Sequence, residues 1–247
     1  MKPVKYLAVA LILILVIGFS NKKQSDRYVL DVVVNIDNQF ENYFIDQSDV
    51  FDLIHETGKT HLLNLDLSQL DLRAIEKRIE AHRFISNAEV YHDLDGLLTI
   101  DIKQNRPLAR ILNPNGSDKY ISTTGLILPE SSHYTARVPL ISLSKKIAYS
   151  NENINETEEG HRLFEFLTFI ENDQFWKAQV ASMDINAKYE LTIHPQVTKQ
   201  TVLFGTADNY QDKFKRLKIF YKEILPSNGW NSYSEVNLKY KEQIVCK

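Results

Sequence analysis

The chain has 247 residues, 43% of them hydrophobic and 25% charged, with a formal net charge of -3. That is enough apolar material for one or two compact domains and too much for a disordered chain. The slightly acidic balance, with no Lys/Arg block, excludes a general nucleic-acid binder. The single cysteine, Cys246, excludes an intrachain disulfide, a cysteine-based zinc site and lipid attachment near the N-terminus.

Residues 1–5 read as a short tail and residues 6–20 as a transmembrane helix. From Tyr6 to Phe19 no charge interrupts the apolar run. The 18 residues from Pro3 to Ser20 rise about 27 Å as a helix, slightly short of a hydrocarbon core of about 30 Å. Lys5 can snorkel to the cytoplasmic face, and Tyr6 and Phe19 suit the interface. A cleaved signal peptide is the competing reading, because Gly18-Phe19-Ser20 passes as a small-x-small site. Lys22, Lys23 and Arg27 on the far side keep charge from fixing the orientation. Residues 21–27 are polar and aperiodic and read as a linker.

Tyr28, Leu30, Val32, Val34 and Ile36 alternate with other residues, which predicts a strand with one buried side. Asp46 precedes Val50, Leu53 and Ile54, the pattern of a short amphipathic helix capped by a carboxylate. Asp71 stands in the same relation to Leu72, Ile75 and Ile79. Ala88 and Val90, then Leu98, Ile100 and Ile102, form two alternating runs around Asp95-Gly96, a pair that tolerates the positive φ of a tight hairpin turn. Residues 28–104 therefore read as one α+β domain of order β-α-α-β-β.

Residues 105–247 read as a second, mostly antiparallel β domain with helices. Strands are expected at Leu108–Leu112, Lys119–Ser122, Leu126–Leu128 and Val138–Ser142. Asn155-Glu156-Thr157-Glu158 has the form of a capping box opening a helix through Leu163, Leu167 and Ile170. Val180–Ile185, Tyr189–Ile193 and Thr201–Phe204 are the next strands. A helix follows Gly205, with Asp208 and Asp212 in its first turns and Phe214, Leu217, Tyr221 and Ile224 on one face, closed by Pro226 and Gly229. The last predicted element is one strand with Val236, Leu238, Tyr240, Ile244 and Cys246 inward and Asn237, Lys239, Lys241 and Gln243 outward. Glu242 breaks that inner face.

No catalytic, cofactor or metal site is expected. His55, His61, His82, His92, His133, His161 and His194 have no H-x-x-x-H or H-E-x-x-H spacing and read as scattered surface residues. Asp93 and Asp95 beside Gly96 read as turn residues rather than an acid–base pair. There is no G-x-S-x-G, phosphate loop or dinucleotide fingerprint, and Cys246 has no adjacent base. Phe164, Phe166, Phe169, Phe175 and Trp176 fit helical core better than an exposed binding face, because Leu163, Leu167 and Ile170 share their helix. Two glycosylation-like triplets, at Asn115 and Asn155, are short enough to arise by chance.

Several stretches, in order, resemble the FtsQ/DivIB family. Leu67 to Val90, with Leu70, Ile79, Phe84-Ile85 and Ala88, is similar to the family's second POTRA helix and following strand. Thr99 to Ala109, ending Arg106-Pro107-Leu108-Ala109, is similar to its domain junction, and Tyr120 to Leu128 around Gly125 to its first β-domain hairpin. There Ser122 and Thr123 replace the usual acidic residue. Val202 to Gly205 and Lys213 to Leu217 are similar to its strand-glycine-helix segment. Val236-Asn237-Leu238-Lys239-Tyr240 resembles its closing valine-aspartate-leucine-arginine-tyrosine strand, with Asn237 and Lys239 in place of Asp and Arg. Lys keeps the charge without the planar fork of Arg.

The resemblance implies a POTRA fold over residues 28–104 and a single-pass inner-membrane protein with its N-terminus in the cytoplasm. It also implies a non-enzymatic divisome scaffold at the septum, without cofactor or small-molecule substrate. The partner would be an FtsB/FtsL-like coiled-coil pair that adds a strand at Val236, Asn237, Leu238, Lys239, Tyr240, Lys241 and Gln243 and so helps control septal peptidoglycan synthesis. The alternative for that strand is an edge protected by its own lysines. The rival for the whole chain is an envelope transport or chaperone module, although no run of alternating barrel strands follows the POTRA-like part.

Overall fold

The computed structural model describes residues 12, 28–38, 42–55, 62–144, 147 and 152–247. The expected tail, transmembrane helix and linker lie outside these residues, save for Ile12. No helix among the described residues is long and apolar enough to cross a membrane. The chain divides into two units, residues 1–104 and 105–247.

In the first unit, strand β1 (Asp31–Asp37) is followed by helix α1 (Gln47–His55) and a 3-10 turn (Leu67–Gln69). Helix α2 (Leu72–Glu80), β2 (Ile85–His92) and β3 (Leu97–Gln104) complete it. The sheet order is β1-β3-β2, with β1 parallel and β2 antiparallel to β3. Each helix starts where a carboxylate satisfies free N–H groups. Asp46 accepts from the Asp49 N–H (3.1 Å), and Asp49 returns the bond to the Asp46 N–H (2.8 Å). Asp71 accepts from the Ala74 N–H at 3.0 Å. Val50, Ile54, Ile75 and Ile79 are buried, and α2 packs on β2. Asp93 Oδ1 accepts from the Asp95 and Leu97 N–H groups (2.8 and 2.9 Å), and Gly96 sits at φ +91°. Both aspartates therefore shape the turn.

The start of β1 departs from expectation. Val32, Val34 and Ile36 do face inward, but Tyr28 and Leu30 are 50% and 68% exposed and Val29 is fully buried. The strand begins only at Asp31, and before it the backbone is held elsewhere. The Val29 N–H donates to Leu65 O and the Leu30 N–H to Gly96 O, both at 2.9 Å. Alternation cannot be extended past the first residue that leaves the ladder.

His82, in the turn after α2, has a buried Nδ1 without a hydrogen-bond partner among the described residues. Burial pushes its imidazole below the ordinary range, against the opposing attraction of Asp49. A depressed histidine stabilises the fold above its unfolded value of about 6.5, and that contribution is lost as pH falls through the folded value. Thermal melts between pH 7.5 and 5.5 are therefore expected to fall for the wild type and to flatten for His82→Gln. Equal pH dependence in the two would refute this role for His82.

The second unit carries β4 (Pro107–Leu112), β5 (Lys119–Ser122), β6 (Ile127–Leu128) and β7 (Leu140–Leu143). Helices α3 (Glu158–Asn172) and α4 (Gln174–Gln179) lead to β8 (Val180–Ile185), β9 (Leu191–Pro195) and β10 (Thr201–Gly205). After α5 (Tyr210–Ile219), a π-helical turn (Phe220–Ile224) and α6 (Leu225–Asn228) come β11 (Glu235–Asn237) and β12 (Val245–Cys246). All nine strands form one mixed sheet of order β12-β11-β10-β9-β8-β7-β4-β5-β6. Its core is aromatic. Phe214 lies 4.5–5.5 Å from the ring centroids of Trp176, Phe204, Phe169 and Phe166. Phe166 and Trp176 are buried and Phe164, Phe169 and Phe175 partly so. The helical-core reading of that run holds.

Several boundaries move: the strand expected at Val138–Ser142 runs over Leu140–Leu143, and the helix after Gly205 starts at Tyr210, which leaves Asp208 outside it. The cap of α3 is Thr157, which accepts from the Gly160 N–H at 3.1 Å, while Asn153 caps a preceding 3-10 turn. Of these two caps only Thr157 falls in the segment expected to form the box. Tyr189 lies in a turn at φ +58°, so β9 starts two residues later than expected. Ile224 is 40% exposed while Phe220 and Leu225 are buried. The π turn adds a residue to the helical period and rotates the apolar face, and Pro226, which has no N–H, enters just after it.

Candidate partner-binding edge

One end of the nine-stranded sheet is sealed. Beyond β6, Leu126 bridges to Asn153, the Ile127 N–H donates to Glu152 O, and the Ile154 N–H donates to Gly125 O, both at 2.8 Å. Gly125, at φ +84°, is where the side chains of Asn153 and Asn155 crowd in, so this seal requires glycine.

The other end is built from β10 onward. Gly205, at φ +78°, ends that strand and lets the chain turn into α5. The chain returns as β11 parallel to β10, the crossover arrangement that a helix makes feasible. Val236 and Leu238 are fully buried against the core, and the Leu238 N–H donates to Leu203 O at 2.9 Å.

The single closing strand expected from Val236 to Cys246 does not form. The chain leaves the sheet after Asn237, turns with Glu242 at φ +60°, and comes back as β12, antiparallel to β11. Val236 pairs with Cys246 and Asn237 with Val245. Val236 and Asn237 thus have a neighbour on both sides and cannot accept an added strand. Among the described residues the outer strand is β12.

Arg216 holds this hairpin. From α5 its Nη1 donates to Tyr240 O (3.0 Å) and Gln243 O (2.6 Å), and its Nη2 to Leu238 O (3.5 Å). Its Nε donates to Asp212 Oδ2 at 3.0 Å, which fixes the guanidinium plane. Lys239 is also committed within the chain. Its Nζ meets Glu190 Oε2 at 3.0 Å, its N–H donates to Asn237 Oδ1 at 3.0 Å, and its stem covers Gly205. The Asn186 amide and then Lys239 hold Glu190 below the usual carboxylate range. Tyr240, at 51% exposure, and Lys241 and Gln243 stand open on the loop.

Antiparallel pairing decides which groups of β12 face outward. Glu235 and Lys247 exchange N–H···O bonds (3.2 and 3.0 Å), so by alternation the N–H and C=O of Cys246 turn away from β11. Burial pushes the Cys246 thiol up, away from the thiolate that nucleophilic chemistry requires.

The expected residues thus separate into three groups. Val236 and Leu238 serve the core, Asn237 and Lys239 the hairpin, and Tyr240, Lys241 and Gln243 the surface beside the open edge. Reading the sequence missed Arg216, Glu190 and the edge itself at Val245-Cys246. The only signal was Glu242, which interrupts the alternation.

A POTRA-like domain leads into a second α+β domain that ends in a hairpin-edged sheet, and family profiles agree with that division. The POTRA-like domain profile matches residues 29–103. The FtsQ/DivIB, C-terminal related profile matches residues 106–247, more than half of the chain. No curated protein matches the chain. The chain belongs to the FtsQ/DivIB family, a group of cell-division proteins that are generally not enzymes.

Proposed function

We propose that this chain is a non-enzymatic division-site scaffold, anchored by residues 6–20 with its N-terminus in the cytoplasm and both domains in the periplasm. It recruits an FtsB/FtsL-like pair by strand addition and so helps control septal peptidoglycan synthesis. The observation that carries this reading is the open outer side of β12, held in place by Arg216. A partner strand gains main-chain bonds there, and the exposed loop side chains select its sequence. Tyr240 offers an aromatic anchor and Lys241 a charge for an acidic segment.

The test is an affinity pull-down of the full-length protein from membranes, followed by calorimetry with the co-purified pair. Tyr240→Ala is expected to weaken binding by about 2 kcal/mol, the size of an interface anchor, while circular dichroism stays unchanged. Wild-type affinity for this variant would move the docking site away from the hairpin.

A further inference from the structure

The first domain has an outer strand of its own, β2, and its edge is not free. Ala88 and Val90, two residues apart, turn their N–H groups to the open side. The Val90 N–H donates to Glu76 Oε1 (2.9 Å) and the Ala88 N–H to Glu80 Oε1 (3.2 Å). Both glutamates come from α2, which packs on β2, and each lies one residue beyond a buried core position, Ile75 or Ile79. That step of about 100° around the helix carries the carboxylates from the buried face to the rim of the sheet.

The spacing makes the pair work as a unit. Four helical residues rise about 6 Å, and two strand residues advance about 6.7 Å. Glutamates at i and i+4 therefore meet N–H groups at j and j-2 when helix and strand run in opposite directions. Carboxylate oxygens are stronger acceptors of a main-chain N–H than the carbonyl of an incoming strand. On the opposite outer strand, Gln47 Nε2 donates to Val34 O at 3.0 Å, so a helix side chain engages that backbone too.

We propose that Glu76 and Glu80 are specificity-determining residues that close the β2 edge of the first domain to strand-adding partners. This goes beyond the scaffold reading and does not depend on who the partner is.

The test uses the full chain in detergent micelles, with hydrogen exchange followed by mass spectrometry over residues 86–92 and self-association by sedimentation. Glu76→Ala/Glu80→Ala is expected to exchange at least tenfold faster at this edge, with protection of residues 72–80 retained. It is also expected to associate with concentration through exposed β2 edges. Glu76→Gln/Glu80→Gln keeps an acceptor oxygen at each position and is expected to stay protected and to associate no more than wild type. Should the double alanine variant lose protection throughout residues 72–80, the single Glu80→Ala variant replaces it in both measurements. Unchanged exchange at 86–92 would overturn the capping role, and faster exchange without association would overturn the specificity role.

Discussion

Replacing Ile79 by Asp is expected to unfold the first domain. Ile79 has no exposed surface and lies on the face of α2 that packs against β2. An ionised carboxylate there has no partner and costs several kcal/mol, a large part of the 5–15 kcal/mol that typically holds a domain together. Ile79→Val removes one methyl group and should cost only about 0.5–1.5 kcal/mol. Hydrogen exchange separates the outcomes. Residues 72–104 are expected to lose protection in Ile79→Asp and keep it in Ile79→Val. A folded Ile79→Asp domain would show that this helix turns a different face to the sheet.

Replacing Arg216 by Ala is expected to release the closing hairpin while leaving the rest of the second domain folded. Three carbonyls lose a charged donor at once, and bonds to charged groups are worth about 1.5–3 kcal/mol. The side chain is only 15% exposed, so water replaces it poorly. Arg216→Lys retains the charge but cannot reach several carbonyls in one plane, and should recover only part of the effect. Two measurements check this. Exchange over residues 238–247 should rise toward that of an unstructured segment, and affinity for a partner bound at β12 should fall by about two orders of magnitude, equivalent to about 3 kcal/mol. Full affinity with a loosened hairpin would mean that the partner orders the edge itself.

These two residues mark how far the sequence could be read. Ile79 was legible because its neighbours are local: Asp71 caps the helix, Ile75 repeats the face, and Asp95-Gly96 fixes the hairpin that supplies the opposing sheet. The strand at Lys119–Ser122 was legible from the turn residues on either side of it, Asn113-Pro114-Asn115-Gly116 before and Thr123-Thr124-Gly125 after. Arg216 was not, because its acceptors lie 22 to 27 residues away and are backbone atoms, which leave no trace in residue type. The closing turn was hidden because Lys241-Glu242 lacks the Gly, Asn or Pro that usually advertises a reversal. Glu76 and Glu80 look like an ordinary solvated helix face until the outward N–H groups of β2 are placed beside them.

The sealed end at Gly125 and the open end at β12 together set a valence. A sheet that can grow from both sides polymerises, because every added unit presents a fresh edge. This one has a blocked terminus, so one incoming strand saturates it, and two copies meeting edge to edge exhaust each other as a closed pair. For a strand that adds at β12, as proposed above, this geometry favours one-to-one pairing over filaments.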